Sequence, residues 1–400
     1  MSKKKLAQLE FITLMASLMS IVALAIDAIL PALDNIGKTI GTTQLSDNQL
    51  LITMIFLGLG IGPLIFGPIS DSLGRKPIVY IGFLIFIVAS FICIYSTSIE
   101  MMVFGRILQG IGLSAPRTIS IAMIRDLFTG DYMARIMSFI TVVFILVPII
   151  APAMGKFFLD HYNWQAIFYV QLIFSILVSI WFWKRQAETL ELSKRIKFTP
   201  TIFIDGIKEL VKHKTTIGFT IISGFITGSF MVYLSTSQQI FEQQYHLKEE
   251  FPYIFGLLAI SIGSAIFLNG IFVIKYGMEK LVTASLFAFF GVSLLYILLF
   301  YNSPNPSVVV LLSFFAMQFF SIGFLFGNLR ALAMQPIGHI AGIGAAITGF
   351  ISTIMAVPIS MYIGKFVKDS TLPLFIGFLL CATLSIVILL YLKIIGKTER

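Results

Sequence analysis

Gly67-Pro68-Ile69-Ser70-Asp71-Ser72-Leu73-Gly74-Arg75-Lys76-Pro77 lies between two long apolar runs, and its reading decides the rest of the chain. One acid and two bases crowd into a Gly-bracketed turn, in a sequence that otherwise almost avoids charge. Glycine suits positions where the chain turns sharply or backbones approach closely. A charged hairpin between two membrane helices is costly enough to point to function rather than surface decoration.

Composition supports the membrane setting. Hydrophobic residues make up 58% of the 400-residue chain and charged residues 12%, with a mean hydropathy of +0.95. Soluble domains carry about 25% charged residues. Phe occurs 39 times, which fits lipid-facing surfaces and pocket linings better than a wet exterior. The net charge of +9 is spread along the chain rather than gathered on one face, so a nucleic-acid partner is not expected. Cys93 and Cys381 lie in separate apolar runs, and no disulfide is expected. Lys3, Lys4 and Lys5 precede an apolar run over 11–33, too long for a signal-peptide core, which reads as the first span.

A spanning helix needs about 20 mostly apolar residues. That criterion predicts an all-α polytopic protein with twelve spans, over 10–33, 48–70, 77–96, 99–122, 136–158, 164–184, 215–238, 253–275, 280–300, 306–330, 341–365 and 372–394. With the N-terminus placed in the cytoplasm, only Lys38, Lys156, Lys248, Lys365 and Lys368 fall outside. The other basic residues fall inside, save Arg106 and Arg117 within span 4. The asymmetry follows the positive-inside rule and puts both termini in the cytoplasm.

The one long polar stretch, 185–214, divides the chain into six-span halves, 1–184 and 215–400. Phe203, Ile204, Ile207, Leu210 and Val211 recur at helical spacing beside Lys208, Lys212 and Lys214, as in an amphipathic helix on the inner leaflet. The stretch is expected to tether the halves and let them move. A faint repeat supports the division. Gly270–Lys280 matches the place of Gly67–Pro77 with both glycines aligned, but Ile274 stands for Asp71 and Met278 for Arg75.

Asp27 is the only acid within the interior of a span, away from its ends. A carboxylate at the bilayer centre costs about 2.5–3.5 kcal/mol on insertion scales, so the protonated form gains ground there and the residue can take up and release a proton. Pro31, one turn later, interrupts the helix and frees carbonyls. Arg106 enters span 4 from the outside by about 10 Å and Asp27 lies about 9 Å from the same face, at 1.5 Å per residue. Their matching depth makes them expected partners, an ion pair or a proton switch. Gln109 either contacts substrate or bridges helices, and Arg117 either snorkels to water or contacts substrate. Tyr233, Asn269 and Gln318 are the polar candidates of the second half, set among many aromatic rings that suit bulky hydrophobic or cationic substrates. Glu10 and Glu242, near span ends, are expected to be solvated. The four histidines lie at loops or span ends, with no metal-ligand spacing and no nucleophile–base pair, so neither an enzyme nor a cofactor is expected.

Several of these segments resemble a known family. Gly67–Pro77 resembles the signature cytoplasmic loop of the major facilitator superfamily. Arg106-Ile107-Leu108-Gln109-Gly110-Ile111-Gly112 is similar to its second signature, Arg-x-x-Gln-Gly-x-Gly. Val147–Gly155, with Pro148 and Pro152, resembles the Gly-Pro-x-x-Gly signature of exporters, although Ala151 replaces the first glycine and Lys156 follows where a second is common. Asp27–Leu33, Arg125–Phe128 and Asn163–Phe168 resemble segments of twelve-span drug:proton antiporters of the Bcr/CflA type. The resemblance implies two six-helix bundles and a monomer in the bacterial inner membrane that exports small hydrophobic or cationic compounds against protons. It implies proton transfer at Arg106. It also implies a gating role for Gly67, Asp71, Gly74, Arg75 and Lys76, which Arg125 and Asp126 would join, and a kink at Pro148, Pro152 and Gly155. Proton-coupled uptake of a polar metabolite is the alternative, kept open by the altered span 5 motif.

Overall fold

A computed structural model describes residues 3–42, 44–199 and 201–398. Arg400, one of the basic residues assigned to the inner side, lies outside the described residues. Among the described residues the chain is helical throughout, with no strand. It divides into two units, Met1–Pro200 and Thr201–Arg400.

The first unit holds α1 (Lys3–Asp27), α2 (Leu33–Ile40), α3 (Leu45–Leu73), α4 (Arg75–Ile94), α5 (Ile99–Leu127), α6 (Gly130–His161) and α7 (Trp164–Arg185). The second holds α8 (Thr201–Lys212), α9 (Lys214–Gln238), α10 (Phe251–Tyr276), α11 (Met278–Phe300), α12 (Val308–Met334), α13 (Ala341–Gly364) and α14 (Leu372–Thr398). Ten apolar stretches are long enough to cross a membrane; one of them, Val308–Gly364, contains both α12 and α13. With α6 added, every expected span has its helix.

Local signals set most ends. Ser98 opens α5 by accepting a hydrogen bond from Met101 N at 3.3 Å, and Asn163 caps α7 by accepting from Ala166 N at 3.0 Å. Two expectations change. The first span does not end at Leu33: α1 stops at Asp27, a 3-10 turn covers Leu30–Ala32, and α2 carries the apolar stretch to Ile40. The opening motif is not a hairpin either, because α3 continues through Gly67 and Pro68 to Leu73 and only Gly74 turns the chain.

The same packing order appears within each unit. In the first, α5 packs on α3 and α4, and α1 on α6; in the second, α12 packs on α10 and α11, and α9 on α13. Small residues let the helices approach, as is common where lipid supplies no hydrophobic drive between them. A Cβ on Gly110 would lie 2.0 Å from Ile55 O, so α3 and α5 touch through backbone.

The segment joining α7 to α8 is shared between the units. Residues 186–199 stay on the first, where Ile196 N donates to Asp71 O at 3.0 Å. Helix α8 packs on α13 in the second through buried Gly206 and Leu210, leaving Ile204, Ile207 and Val211 exposed on one face.

The α3–α5 contact gives a direct test. Gly110→Val is expected to cost about 1–3 kcal/mol by forcing the helices apart, and to lower the melting temperature of the purified protein by several degrees, measured by differential scanning fluorimetry.

Candidate functional site

Two clusters in the first unit bring the conspicuous residues together. The deeper one is built on the break after α1. Pro31 has no N–H to offer the Asp27 carbonyl, so the helix cannot run on, and the chain tightens into the 3-10 turn. Arg106, wholly buried on α5, takes up the carbonyls near this break. Its Nη1 and Nη2 each donate to Ala25 O at 3.1 Å, its Nε donates to Leu51 O at 2.8 Å, and Nη1 also donates to Gln109 Oε1 at 2.8 Å. Gln109 Nε2 in turn donates to Ser90 Oγ at 2.8 Å, and the Ser90 hydroxyl donates to Phe86 O at 2.8 Å. One guanidinium thereby ties α1, α3, α4 and α5.

Asp27 is 5% exposed at the end of α1. Among the described residues its carboxyl has no hydrogen bond and no ion pair. The expected pairing with Arg106 is therefore not formed in this structure. The depth argument placed the two side by side, but the Arg106 donors are taken by Ala25 O, two residues before Asp27, by Leu51 O on α3 and by Gln109 Oε1, and the first span reaches farther than expected. The backbone next to Asp27 is instead pressed against Gly155 of α6, where a Cβ would lie 1.8 Å from Ala28 O. Pro148 and Pro152 both lie inside α6, on the approach to that contact.

The second cluster is built on Gly74. Its φ of 110° and ψ of 162° are reached without strain only by glycine, and a Cβ would sit 2.7 Å from Glu188 Oε2 and 2.8 Å from Arg195 Nη2. The turn delivers Arg75 into a nest of oxygens. Its Nε donates to Asp126 Oδ2 at 3.0 Å and its Nη1 to Ser70 Oγ at 2.8 Å and to Asp71 Oδ1. Glu188, from the segment after α7, accepts from Arg75 N and Lys76 N, both at 3.0 Å, at the start of α4. It also accepts from Thr189 N at 2.9 Å and Leu190 N at 3.0 Å. Burial alone would raise the Glu188 pKa. The four N–H donors outweigh it and hold the carboxyl below the ordinary glutamate value. Thr189 Oγ1 donates to Asp126 Oδ2 at 3.0 Å and closes the ring of contacts.

A match to the Major Facilitator Superfamily model covers residues 15–357. The chain belongs to the major facilitator superfamily. An uncharacterized MFS-type transporter, YdgK, of Bacillus subtilis (strain 168) is 30% identical over 345 residues, 85% of each chain. A bicyclomycin resistance protein homolog of Haemophilus influenzae is 28% identical over 277 residues, 69% of each. A crystal structure of a D-xylose-proton symporter shares the fold, with a TM-score of 0.69 and 13% identity over 95% of this chain and 97% of that one. The protein is thus a multi-pass membrane transporter of small molecules, not an enzyme.

Seen within that family, the other candidates divide. Gln109 is wholly buried and bonded through both ends of its amide, to Arg106 on α5 and Ser90 on α4. Arg125 is exposed and makes none of the contacts of the Gly74 cluster, because its neighbour Asp126 points about 100° away around the helix. Gly67 has open space where a Cβ would go, so close approach does not demand it. Arg117 is half-buried one residue past Pro116. In the second unit Gln318 Nε2 donates to Ser293 Oγ at 2.6 Å, and Asn328 Nδ2 donates to Asn269 Oδ1 at 2.7 Å. Tyr233 sits among Phe315 and Phe319, with ring centroids 5.2 and 4.5 Å away. Glu10 is not simply solvated: it accepts from Trp181 Nε1 at 3.2 Å and from Arg185 Nη2 at 2.6 Å.

Glu188 escaped the sequence reading altogether, because it lies in the polar stretch read as a tether, more than a hundred residues from the motif it holds. Replacing it with Gln should expose the amides it binds. Hydrogen exchange at Arg75, Lys76, Thr189 and Leu190 is expected to speed up by about tenfold. Because the folded pKa is lowered, the wild-type contacts contribute fully above the unfolded value of about 4.3. They weaken as the pH falls below it, so wild type should approach the Glu188→Gln exchange pattern only in acid.

Proposed function

We propose that the protein is a proton-coupled exporter of small hydrophobic or cationic compounds, working by alternating access. The observation that carries this reading is the Asp27 carboxyl, buried at a broken helix and free of ion pairs among the described residues. An acid held this way is neutral when protonated and costly when not, so a change in its surroundings converts directly into proton uptake or release. The backbone beside it is in contact with α6 at Gly155, so movement of α6 would alter that environment.

Export over uptake is supported by the bicyclomycin resistance homolog among the relatives and by the Val147–Gly155 segment. The aromatic group of Tyr233, Phe315 and Phe319 supports a bulky or cationic substrate. In this reading the Arg75–Asp71–Asp126 contacts close the inner end of the first unit and must part as the carrier turns inward. Arg106 acts by setting the position of the α1 break rather than by pairing with Asp27. Both termini are cytoplasmic, the membrane is the bacterial inner membrane, and the carrier works as a monomer.

Efflux of a fluorescent lipophilic cation from energised cells tests this. Wild type should extrude the dye, and a protonophore should stop it. Asp27→Asn, expressed to the same level, should lower the rate at least tenfold. Normal efflux by Asp27→Asn would remove Asp27 as the coupling residue, and efflux indifferent to the protonophore would remove proton coupling.

A further inference from the structure

Three glutamines are wholly buried among the described residues, Gln109, Gln171 and Gln318, and they are not held alike. Gln109 is bonded at both ends of its amide, and Gln318 is fixed at one end, where it donates to Ser293 Oγ at 2.6 Å. Gln171 on α7 is held by neither. Its Nε2 lies 3.5 Å from Leu24 O, at the outer limit of a hydrogen bond, and that carbonyl already accepts from Ala28 N at 3.2 Å. Gln171 Oε1 has no hydrogen-bond partner among the described residues. An amide with no exposure and no firm bond is expensive in the interior of a membrane protein.

Its neighbourhood offers a use for it. Leu24 and Asp27 are three residues apart on α1 and so share a face. A helical side chain leans back over the preceding turn, which lays the Asp27 carboxyl over the turn whose carbonyl Gln171 reaches. Both groups are buried and neither is satisfied. The nearby charges are engaged elsewhere. Arg106 on α5 is held by Ala25 O, Leu51 O and Gln109 Oε1. Lys156, next to Gly155 on α6, pairs with Asp160 Oδ2 at 2.7 Å. In the N-terminal half of α7 the titratable side chain is Tyr169, which is 41% exposed. An amide matches a carboxyl in either protonation state, because its oxygen accepts and its nitrogen donates.

We infer that Gln171 is the positioning partner of Asp27: its Oε1 accepts from the protonated carboxyl, and its Nε2 donates to the ionised one. This rests on the reading of Asp27 as the group that takes up and releases the proton. Gln171 carries no proton at any stage. Exchanging Leu24 O for the carboxyl takes only a turn of the last side-chain bonds, and it ties α7 to α1 through a different end of the amide in each state.

Infrared spectroscopy of the full chain in detergent, titrated with acid and base, tests the inference. The stretch of the protonated Asp27 carboxyl is assigned as the band that Asp27→Asn removes. Gln171→Met keeps the size of the side chain but removes its donor and its acceptor. It should move the pH midpoint of that band by about one unit, the tenfold that one such hydrogen bond is worth. Gln171→Asn, which keeps the amide but draws it back by one carbon, should move the midpoint as well, and it carries the test if the methionine variant does not fold. A midpoint equal to wild type in the folded variants would overturn Gln171 as the partner and leave the Asp27 reading standing. If Asp27→Asn removes no titrating band, the Asp27 reading falls, and this inference with it.

Discussion

A guanidinium removed from water has to find acceptors for its donors inside the protein, and Arg106 finds them mainly in backbone carbonyls. That requirement organises the first unit. A carbonyl such as Ala25 O is available to a side chain because α1 ends two residues later, at a break that Pro31 enforces. The guanidinium can reach it because α5 lies against α3 with little more than backbone between them. Gln109 and Ser90 extend the same set of bonds into α4. The outcome is a rigid frame around a short piece of non-α backbone, with one carboxyl left unpaired at its edge. Arg106 thus orders the region around Asp27 without neutralising it.

The Gly74 cluster solves a similar problem at the end of the helices. Arg75 is 4% exposed and is matched by two carboxylates, so its charge is balanced where it is buried. Glu188 adds an anion at the N-terminus of α4, where backbone N–H groups point outward and the helix dipole favours negative charge. These contacts are charge-assisted and directional, yet they join separate segments through side chains alone. Such a set can hold firmly and still part without unfolding any helix.

The two units repeat one bridge and differ at its centre. Gln109, Ser90 and Phe86 of the first correspond to Gln318, Ser293 and Phe289 of the second, with the same order of bonds. Gly74 and Gly277 share a positive φ, 110° and 80°. Where the first unit places Arg106, one turn before the glutamine, the second places Phe315, and the Gln318 Oε1 that would have accepted from a guanidinium has no partner among the described residues. Among the described residues the buried Asp27, Arg75 and Arg106 belong to the first unit, and the ring cluster of Tyr233, Phe315 and Phe319 to the second.

The number of spans and the placing of a lone acid deep in the first of them were legible in the sequence, whereas the end of that span, the extent of the turn at Gly74 and the isolation of Asp27 were not. Hydropathy sums along a single helix, and glycine, proline and buried acid act locally. Partners were not legible in the same way. Rise per residue sets how deep a side chain lies, but not which way it faces or whether a nearer acceptor has already claimed it. Asp27 and Arg106 therefore looked like a pair until packing gave Arg106 its carbonyls, and Arg125 looked equal to Asp126 until the turn of α5 separated them. Glu188 had no local signal at all. Only the tertiary structure, by bringing the chain after α7 back to the start of α4, could give that residue its role.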